Sequence, residues 1–433
     1  MLDFIYSAFD KIPTFVWLLL SAIVMARIAF KFWLHYIRQD FISGIDFVLL
    51  EIIPPRDVLR NPQAMELFFT NALYHFSQKG GKEEFWQGAV HFWFSLEIVS
   101  IEGQVHFYIQ TPTRLKGLIE TQMYAQYPQA QVRVADDYTL AVDTINEKSA
   151  WNMWGCEFVL AKPEVYPIKT YIDYKLDKDP DEEQKIDPIS PLIELFGSLG
   201  KGEQYWFQMV VRPALVKHHT HGTWFGHHDW VQEGEIELDK IAKPYTKIEV
   251  LPSGQVLKSG RTPDHLKPLL DGVTKKIQKV GFDTGIRACY VAKKENYSMN
   301  SRRNLRLILR QYANPFLNSF NRVNSTQADA LGGNFLPGWF LLSSQQVMTL
   351  ADRMLHEYRE RKFFHLPLRH ALVSILPWPI SPFVFMKYFH PHTFVLNVEE
   401  LATIWHFPGQ ILKVPTLERI ESKEAAPPTN LPI

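Results

Sequence analysis

Phe92, Phe94, Leu96 and Ile98 alternate with polar or mixed residues, and Val105, Phe107 and Ile109 resume the alternation after Glu102-Gly103. Period-two patterning on both sides of an acidic residue and a glycine specifies an antiparallel hairpin with one apolar face. That face has to be buried, and the flanking segments provide the cover. Upstream, Met65, Phe68, Phe69, Ala72, Leu73 and Phe76 recur at helical spacing behind Asn61-Pro62, a favoured helix start. Downstream, Leu115, Leu118, Ile119 and Met123 share a helix face that Thr113 can cap. Strands at Gly44–Pro55 and Ala130–Asp137 complete the order βαββαβ over residues 45–137. That is the ferredoxin-like pattern, with Phe68, Phe69, Phe94 and Phe107 in its core.

A second, less tidy copy spans 151–325. Strands are expected at Cys156–Ala161, Tyr166–Ile172, Gln204–Pro213 and Asp283–Glu295, with Ile286, Ala288 and Tyr290 on one face of the last. Helices are expected near Pro191–Leu199, Trp230–Ile241, Pro263–Val280 and Ser301–Ala313, the middle pair forming an insertion. A C-terminal helical or irregular region covers 326–410, with a helix over Ser344–Lys362. Residues 411–433 are a proline-rich linker, because proline fixes φ and lacks an N–H. The apolar stretch Ala371–Met386 is broken by Pro377, Pro379 and Pro382, which argues against a membrane helix there.

Residues 12–34 read as a transmembrane helix behind an external tail, 1–11. At about 1.5 Å per residue the run reaches across a hydrocarbon core of about 30 Å, with Arg27 snorkelling toward a headgroup layer. Arg27, Lys31 and Arg38 follow the apolar run. The positive-inside rule then puts the N-terminus outside and the bulk in the cytoplasm, a single-pass protein of a bacterial inner membrane. The expected fold class is therefore α+β, an N-terminal transmembrane helix followed by ferredoxin-like modules.

The candidate chemistry is sparse. His218, His219, His221, His227 and His228 form a histidine-rich stretch ending at Asp229, but Gly222 and Gly226 make it a solvated loop sooner than a zinc site. Lys293, Lys294, Arg302, Arg303, Arg306 and Arg310 form a basic patch that could meet phosphates, although the charges of the chain balance at 46 against 46. No phosphate-binding loop of the form G-x-x-x-x-G-K-[ST] occurs; Gly197–Gln204 is the nearest string and has the wrong spacing. No HExxH or GxSxG occurs either. The two cysteines, Cys156 and Cys289, sit in apolar stretches and read as buried thiols of a reducing compartment. The expectation is a protein without catalytic residues or cofactor.

Several strings carry a resemblance: "LIETQMYAQYPQAQV", "GFDTGIRACYVAKKENY", "NPFLNSFNR", "FVLNVEELATIWHFPG" and "VPTLERIESKEAAPPTNLPI". Across roughly residues 40–433 the chain resembles an uncharacterised membrane-anchored family of candidate-phylum bacteria. In that family this region precedes, or is encoded beside, a P-loop ATPase of the type IV secretion or conjugation class. The resemblance implies a non-catalytic, membrane-anchored assembly module with such an ATPase as partner, in cis or in trans. It assigns no site residues, and the histidine stretch lies outside its pattern. Homo-oligomerisation and direct nucleic-acid contact stay open. The alternative is a free-standing envelope scaffold that binds protein or lipid with no motor.

Overall fold

The computed structural model describes residues 13–55, 61–74, 81–177, 187–214, 218–219, 227–245, 247–250, 256–259, 263–326, 344–364 and 393–409. The expected tail 1–11, linker 411–433, proline-broken stretch 371–386, and Phe76 and His221 lie outside them. In chain order the elements are α1 (Thr14–Ser43), β1 (Phe47–Ile53), α2 (Gln63–Phe68, continuing through a wider turn to Leu73), α3 (Gly81–Trp86), β2 (Phe94–Ile101), β3 (Gln104–Pro112), α4 (Lys116–Gln126) and β4 (Gln131–Val134). Next come β5 (Trp151–Leu160), α5 (Ser190–Gly197), β6 (Glu203–Pro213), the short pair β7 (His218–His219) and β8 (His227–His228), α6 (Trp230–Ala242), β9 (Lys247–Val250), β10 (Val256–Ser259) and α7 (Lys267–Ile277). The chain goes on through β11 (Gly281–Lys293), α8 (Met299–Leu305), β12 (Phe320–Val323), α9 (Ser344–Glu360), β13 (Phe394–Asn397) and α10 (Val398–Ile404).

The chain divides into two units: 1–46 with 77–91 and 365–391, and the remainder. In the first, α1 and α3 meet through aromatic pairs, Phe30 with Phe85 and Trp33 with Trp86. Among the described residues no helix is long and apolar enough to cross a membrane. The spanning segment expected over 12–34 is therefore not supported. The described part of the run free of charged side chains, from Pro13 to Ala26, reaches only roughly 20 Å as helix, and Arg27 and Lys31 interrupt the next two turns.

The second unit is a mixed α/β body on a nine-stranded antiparallel sheet, ordered β12-β5-β11-β6-β2-β3-β1-β4, with β13 beside β11. The hairpin expectation holds: β2 and β3 pair from Ser95↔Gln110 to Ile101↔Gln104. Glu102 and Gly103 both take positive φ at the turn, the geometry a two-residue hairpin connection requires. In the first half the order across the sheet is β2-β3-β1-β4, and in the second it is β6-β11-β5-β12. The two halves repeat one layout and join at β2 and β6, antiparallel from Phe94↔Val211 to Ile101↔Gln204. Where the first half turns in two residues, the second carries α6, the β9–β10 hairpin and α7 between β6 and β11. The two halves thus share one sheet and one core.

One sheet face is apolar. Leu96, Ile98, Phe107, Phe207, Met209, Ile286 and Trp154 pack there with Phe68 and Phe69 of α2, Met123 of α4, Phe196 of α5 and Trp405 after α10. All four phenylalanines expected in the first core are fully buried. Tyr166–Ile172, expected as a strand, forms turns and irregular chain. Its amides find other acceptors: Ile168 N–H donates to Glu400 Oε1 at 2.8 Å, Tyr171 N–H to Thr403 Oγ1 at 3.0 Å, and Lys169 N–H to the Tyr312 carbonyl at 3.0 Å. The helix expected over 301–313 stops at Leu305, with a turn and a short 3-10 segment beyond. Within 326–410, expected to be helical or irregular, residues 393–409 belong to the sheet unit: β13 adds a strand, and α10 enters the core behind an Asn397–Glu400 capping box.

Candidate functional site: a buried polar belt under one helix

Alternation that points Leu96, Phe207 and Ile286 into the apolar core turns their neighbours to the opposite face. There the register places a polar residue on strand after strand: Glu51 opposite Tyr108, Tyr108 opposite Glu97, Glu97 opposite Gln208, Gln208 opposite Arg287, and Arg287 opposite Glu157. All six are buried. α9 covers this face, with Ala351, Met354, Leu355 and Tyr358 buried. Glycines let this cover come close: a Cβ at Gly155 would stand 2.9 Å from Met354 of α9, and one at Gly285 would run into the ring of Phe364, four residues past the helix.

Burying carboxylates is costly unless they are paired and hydrogen-bonded. Glu97 takes bonds from Ser95 Oγ at 2.7 Å, Gln208 Nε2 at 2.8 Å, Tyr138 OH at 2.8 Å and Arg361 Nε at 2.8 Å. Arg361 also donates to both oxygens of Asp137, at 2.7 and 3.0 Å, while its carbonyl accepts Trp93 Nε1–H at 2.8 Å. Arg361 does this from φ 46°, a left-handed conformation that ends α9. The last carbonyls of α9 are met from the sheet: Arg287 Nη1 donates to the Glu357 carbonyl at 2.6 Å, and Gln208 Nε2 to the Tyr358 carbonyl at 3.1 Å. Both donors meet unpaired carbonyls at the helix C-terminus, and the charge of Arg287 also answers its dipole.

These contacts set the electrostatics. Burial pushes Asp137 up, but the bonds and charge of Arg361, with bonds from the Thr139 hydroxyl and amide, outweigh it and hold the carboxyl below its usual range. At Glu157 burial wins and raises the pKa, with Arg287 and Asn324 pulling against it. Glu51 ends below its usual range, since His106 and Arg133 together outweigh burial. Burial raises Tyr138 and Tyr358, so both phenols stay protonated donors. On the apolar side a second buried pair joins Lys276 and Glu400 at 2.9 Å, and there burial raises the Glu400 carboxyl. The belt binds the sheet to its covering helix.

The residues singled out in the sequence lie elsewhere. The backbone register sets His218 opposite His228 and His219 opposite His227 in the β7–β8 ladder. Asp229 is engaged as the N-cap of α6, accepting from Gln232 N–H at 2.9 Å. Among the described residues no group of histidine, cysteine and acidic side chains is arranged to hold a metal. The basic patch is divided. Arg302 is buried and Arg306 half-buried, their guanidinium groups over the Trp154 ring at 5.6 and 5.2 Å. Lys294 caps the Asn146 and Glu147 carbonyls, and Lys293, Arg303 and Arg310 are exposed. Cys156 and Cys289 are both buried, and burial raises both thiols, Cys156 to about 12. The belt itself had a faint trace in the sequence, Glu51, Glu97, Gln208, Arg287 and Glu157 inside otherwise apolar strands, with Tyr108 on β3 between the first two.

A different surface stands out on the first unit. Leu18, Met25, Phe32 and Tyr36 are 66%, 64%, 42% and 67% exposed along α1. Phe15, Leu19, Ile23, Phe30 and Trp33 are exposed beside them, as are Phe85 and Trp86 of α3. Comparison with protein-family models, curated proteins and solved structures finds no match for the chain.

Proposed function

We propose that the chain is a non-catalytic assembly module that sits on a membrane and positions a P-loop translocation ATPase of the type IV secretion or conjugation class. The observation that carries the membrane part is the exposed apolar and aromatic surface of α1 and α3, which is larger than isolated surface residues account for and calls for an apolar medium. Basic residues after the apolar run favour the cytoplasmic side of a bacterial inner membrane for the bulk of the chain. The strand orders β2-β3-β1-β4 and β6-β11-β5-β12 support reading each half as a ferredoxin-like module. A scaffold role draws support from the belt, in which Glu97, Gln208 and Arg287 hold α9 and its C-terminal end to the sheet. The family resemblance supplies the motor partner.

The test has two parts. Purified full-length protein is assayed for nucleotide hydrolysis, and binding is measured to the P-loop ATPase encoded beside it or in frame with it. No turnover above background, together with binding or a changed ATPase rate, is the expected result. Intrinsic hydrolysis removes the non-catalytic reading. A folded ATPase that neither binds nor responds leaves the free-standing scaffold.

A further inference from the structure

The stretch that begins at α8 has two sides. Arg302, Leu305, Ile308, Leu309 and Tyr312 are buried on one. Met299, Arg303, Leu307 and Arg310, at i, i+4, i+8 and i+11, are exposed on the other. That spacing holds along α8 and along the tighter turns after it, where Leu307 N–H donates to the Asn304 carbonyl and Arg310 N–H to the Leu307 carbonyl. Apolar and guanidinium groups thus alternate down one exposed line, with Met299 56% and Leu307 52% exposed. Among the described residues neither Arg303 nor Arg310 has a carboxylate partner.

The line leads into a loop that holds Phe316 outward, 82% exposed, more than any other large apolar side chain among the described residues. The loop is fixed all the same. Asn314 N–H donates to the Asn318 carbonyl at 2.8 Å, and Asn314 Oδ1 accepts the Phe316 and Leu317 amides at 3.0 and 3.3 Å. Asn318, itself buried, donates from Nδ2 to the carbonyls of Lys162, Pro163 and Tyr166. Lys162 Nζ donates to the Pro315 and Phe316 carbonyls at 3.3 and 3.1 Å. Leu317 turns inward against Gly272 of α7, while the ring before it stays outside. A ring mounted on ordered backbone has little left to order on binding, and aromatic rings and arginines are the side chains that dominate protein interfaces.

We infer that the surface Met299–Arg303–Leu307–Arg310–Phe316 docks a folded protein, whose apolar pocket takes the Phe316 ring and whose carboxylates meet Arg303 and Arg310. The two guanidinium groups without carboxylate partners set the sign of that protein's surface, since arginine pairs best with a planar carboxylate. Met299 and Leu307 tell against nucleic acid, because aliphatic side chains neither stack on bases nor bond to phosphates. The fixed ring tells against lipid, because a fluid acyl layer holds no pocket for a preformed anchor to match. In the reading proposed above the docked protein is the P-loop ATPase, and the site rests on that reading.

The experiment measures binding of the ATPase encoded beside the chain, or in frame with it, to the full-length protein by biolayer interferometry. Phe316→Ala should weaken binding about ten-fold or more, and so should Arg303→Glu with Arg310→Glu. Leu140→Ala trims an exposed leucine away from this line and should leave binding unchanged. The urea midpoints of all three variants should match the parent's, because every altered side chain is exposed. Binding that neither of the first two variants weakens, or that Leu140→Ala weakens as much, overturns the docking site and leaves the motor reading standing. A parent that does not bind the ATPase at all overturns both. A DNA duplex or a phosphatidylglycerol vesicle that displaces the ATPase and depends on the same two arginines overturns the protein partner and assigns the surface to phosphate.

Discussion

Arg361 holds Glu97 by two guanidinium bonds, Nε to Oε1 at 2.8 Å and Nη2 to Oε2 at 3.3 Å, with both side chains buried. Glu97 belongs to β2 at the seam of the two halves, and Arg361 comes directly after the last residue of α9. One pair thus joins the covering helix to the place where β2 meets β6. Removing one partner of a buried pair strands the other charge, at a cost of about 3–5 kcal/mol. Arg361→Ala should destabilise by that amount in urea unfolding. Arg361→Lys should recover little, because lysine cannot serve Glu97 and Asp137 from one planar fork. A loss below about 1 kcal/mol for Arg361→Ala would deny the pair its role.

Acid should loosen the same contact. The carboxyl of Asp137 is lowered in the folded protein, so the unfolded chain binds the extra proton and the pair's stabilisation is present above the usual carboxylate pKa. It is lost as pH falls through the lowered value. Urea midpoints of the parent and of Asp137→Asn, taken between pH 7 and pH 3, should converge toward the acid end. Glu157 has the opposite sign: its raised pKa means that stability falls as pH rises from the usual carboxylate value through the folded one. Glu157→Gln should remove that slope, and midpoints parallel to the parent's across the range would contradict the assignment.

Gly285 meets the Phe364 ring so closely that a methyl group cannot be added without displacing it. Overpacking of this kind costs about 1–3 kcal/mol. Gly285→Ala should destabilise the protein by that much, and in a Phe364→Ala background most of the penalty should vanish. Strict additivity of the two changes would mean that Phe364 does not seat on Gly285 in solution.

Phe68 and Phe207 lie in different halves of the chain and in one core. Phe68→Ala should cost about 3–5 kcal/mol, and so should Phe207→Ala. Because β2 and β6 share a ladder, either change should lower a single unfolding transition of the sheet unit, seen alike by tryptophan fluorescence and far-UV circular dichroism. Two separated transitions, each shifted by only one of the variants, would mean that the halves fold apart.

Much of the local structure was legible because it is written in short-range periodicity. Phe94 to Ile109 alternates around Glu102-Gly103, and Met65 to Leu73 keeps helical spacing; each became the expected element. The seam between β2 and β6 was not legible, since pairing across the sheet leaves no local mark. The belt escaped for a related reason. Period two tells which side of a strand is apolar, but a glutamate such as Glu97 on the other side reads as solvent-facing whether water or α9 lies above it. Tyr166–Ile172 has strand-like composition, yet Glu400, Thr403 and Tyr312 capture its amides from segments far along the chain. For α1 the expectation of a spanning helix let Arg27 snorkel, but the run without charged side chains ends before it reaches the thickness of a hydrocarbon core.

Co-flotation on phosphatidylcholine–phosphatidylglycerol vesicles tests the central claim, a membrane-seated module that recruits a motor, most directly. The full-length chain and the P-loop ATPase encoded beside it or in frame with it are floated together and separately. The account predicts that the ATPase rises with the vesicles only when this chain is present, and that Met25→Glu with Phe32→Glu leaves both at the bottom of the gradient. An ATPase that stays at the bottom while this chain floats, or a chain that does not float, would contradict it.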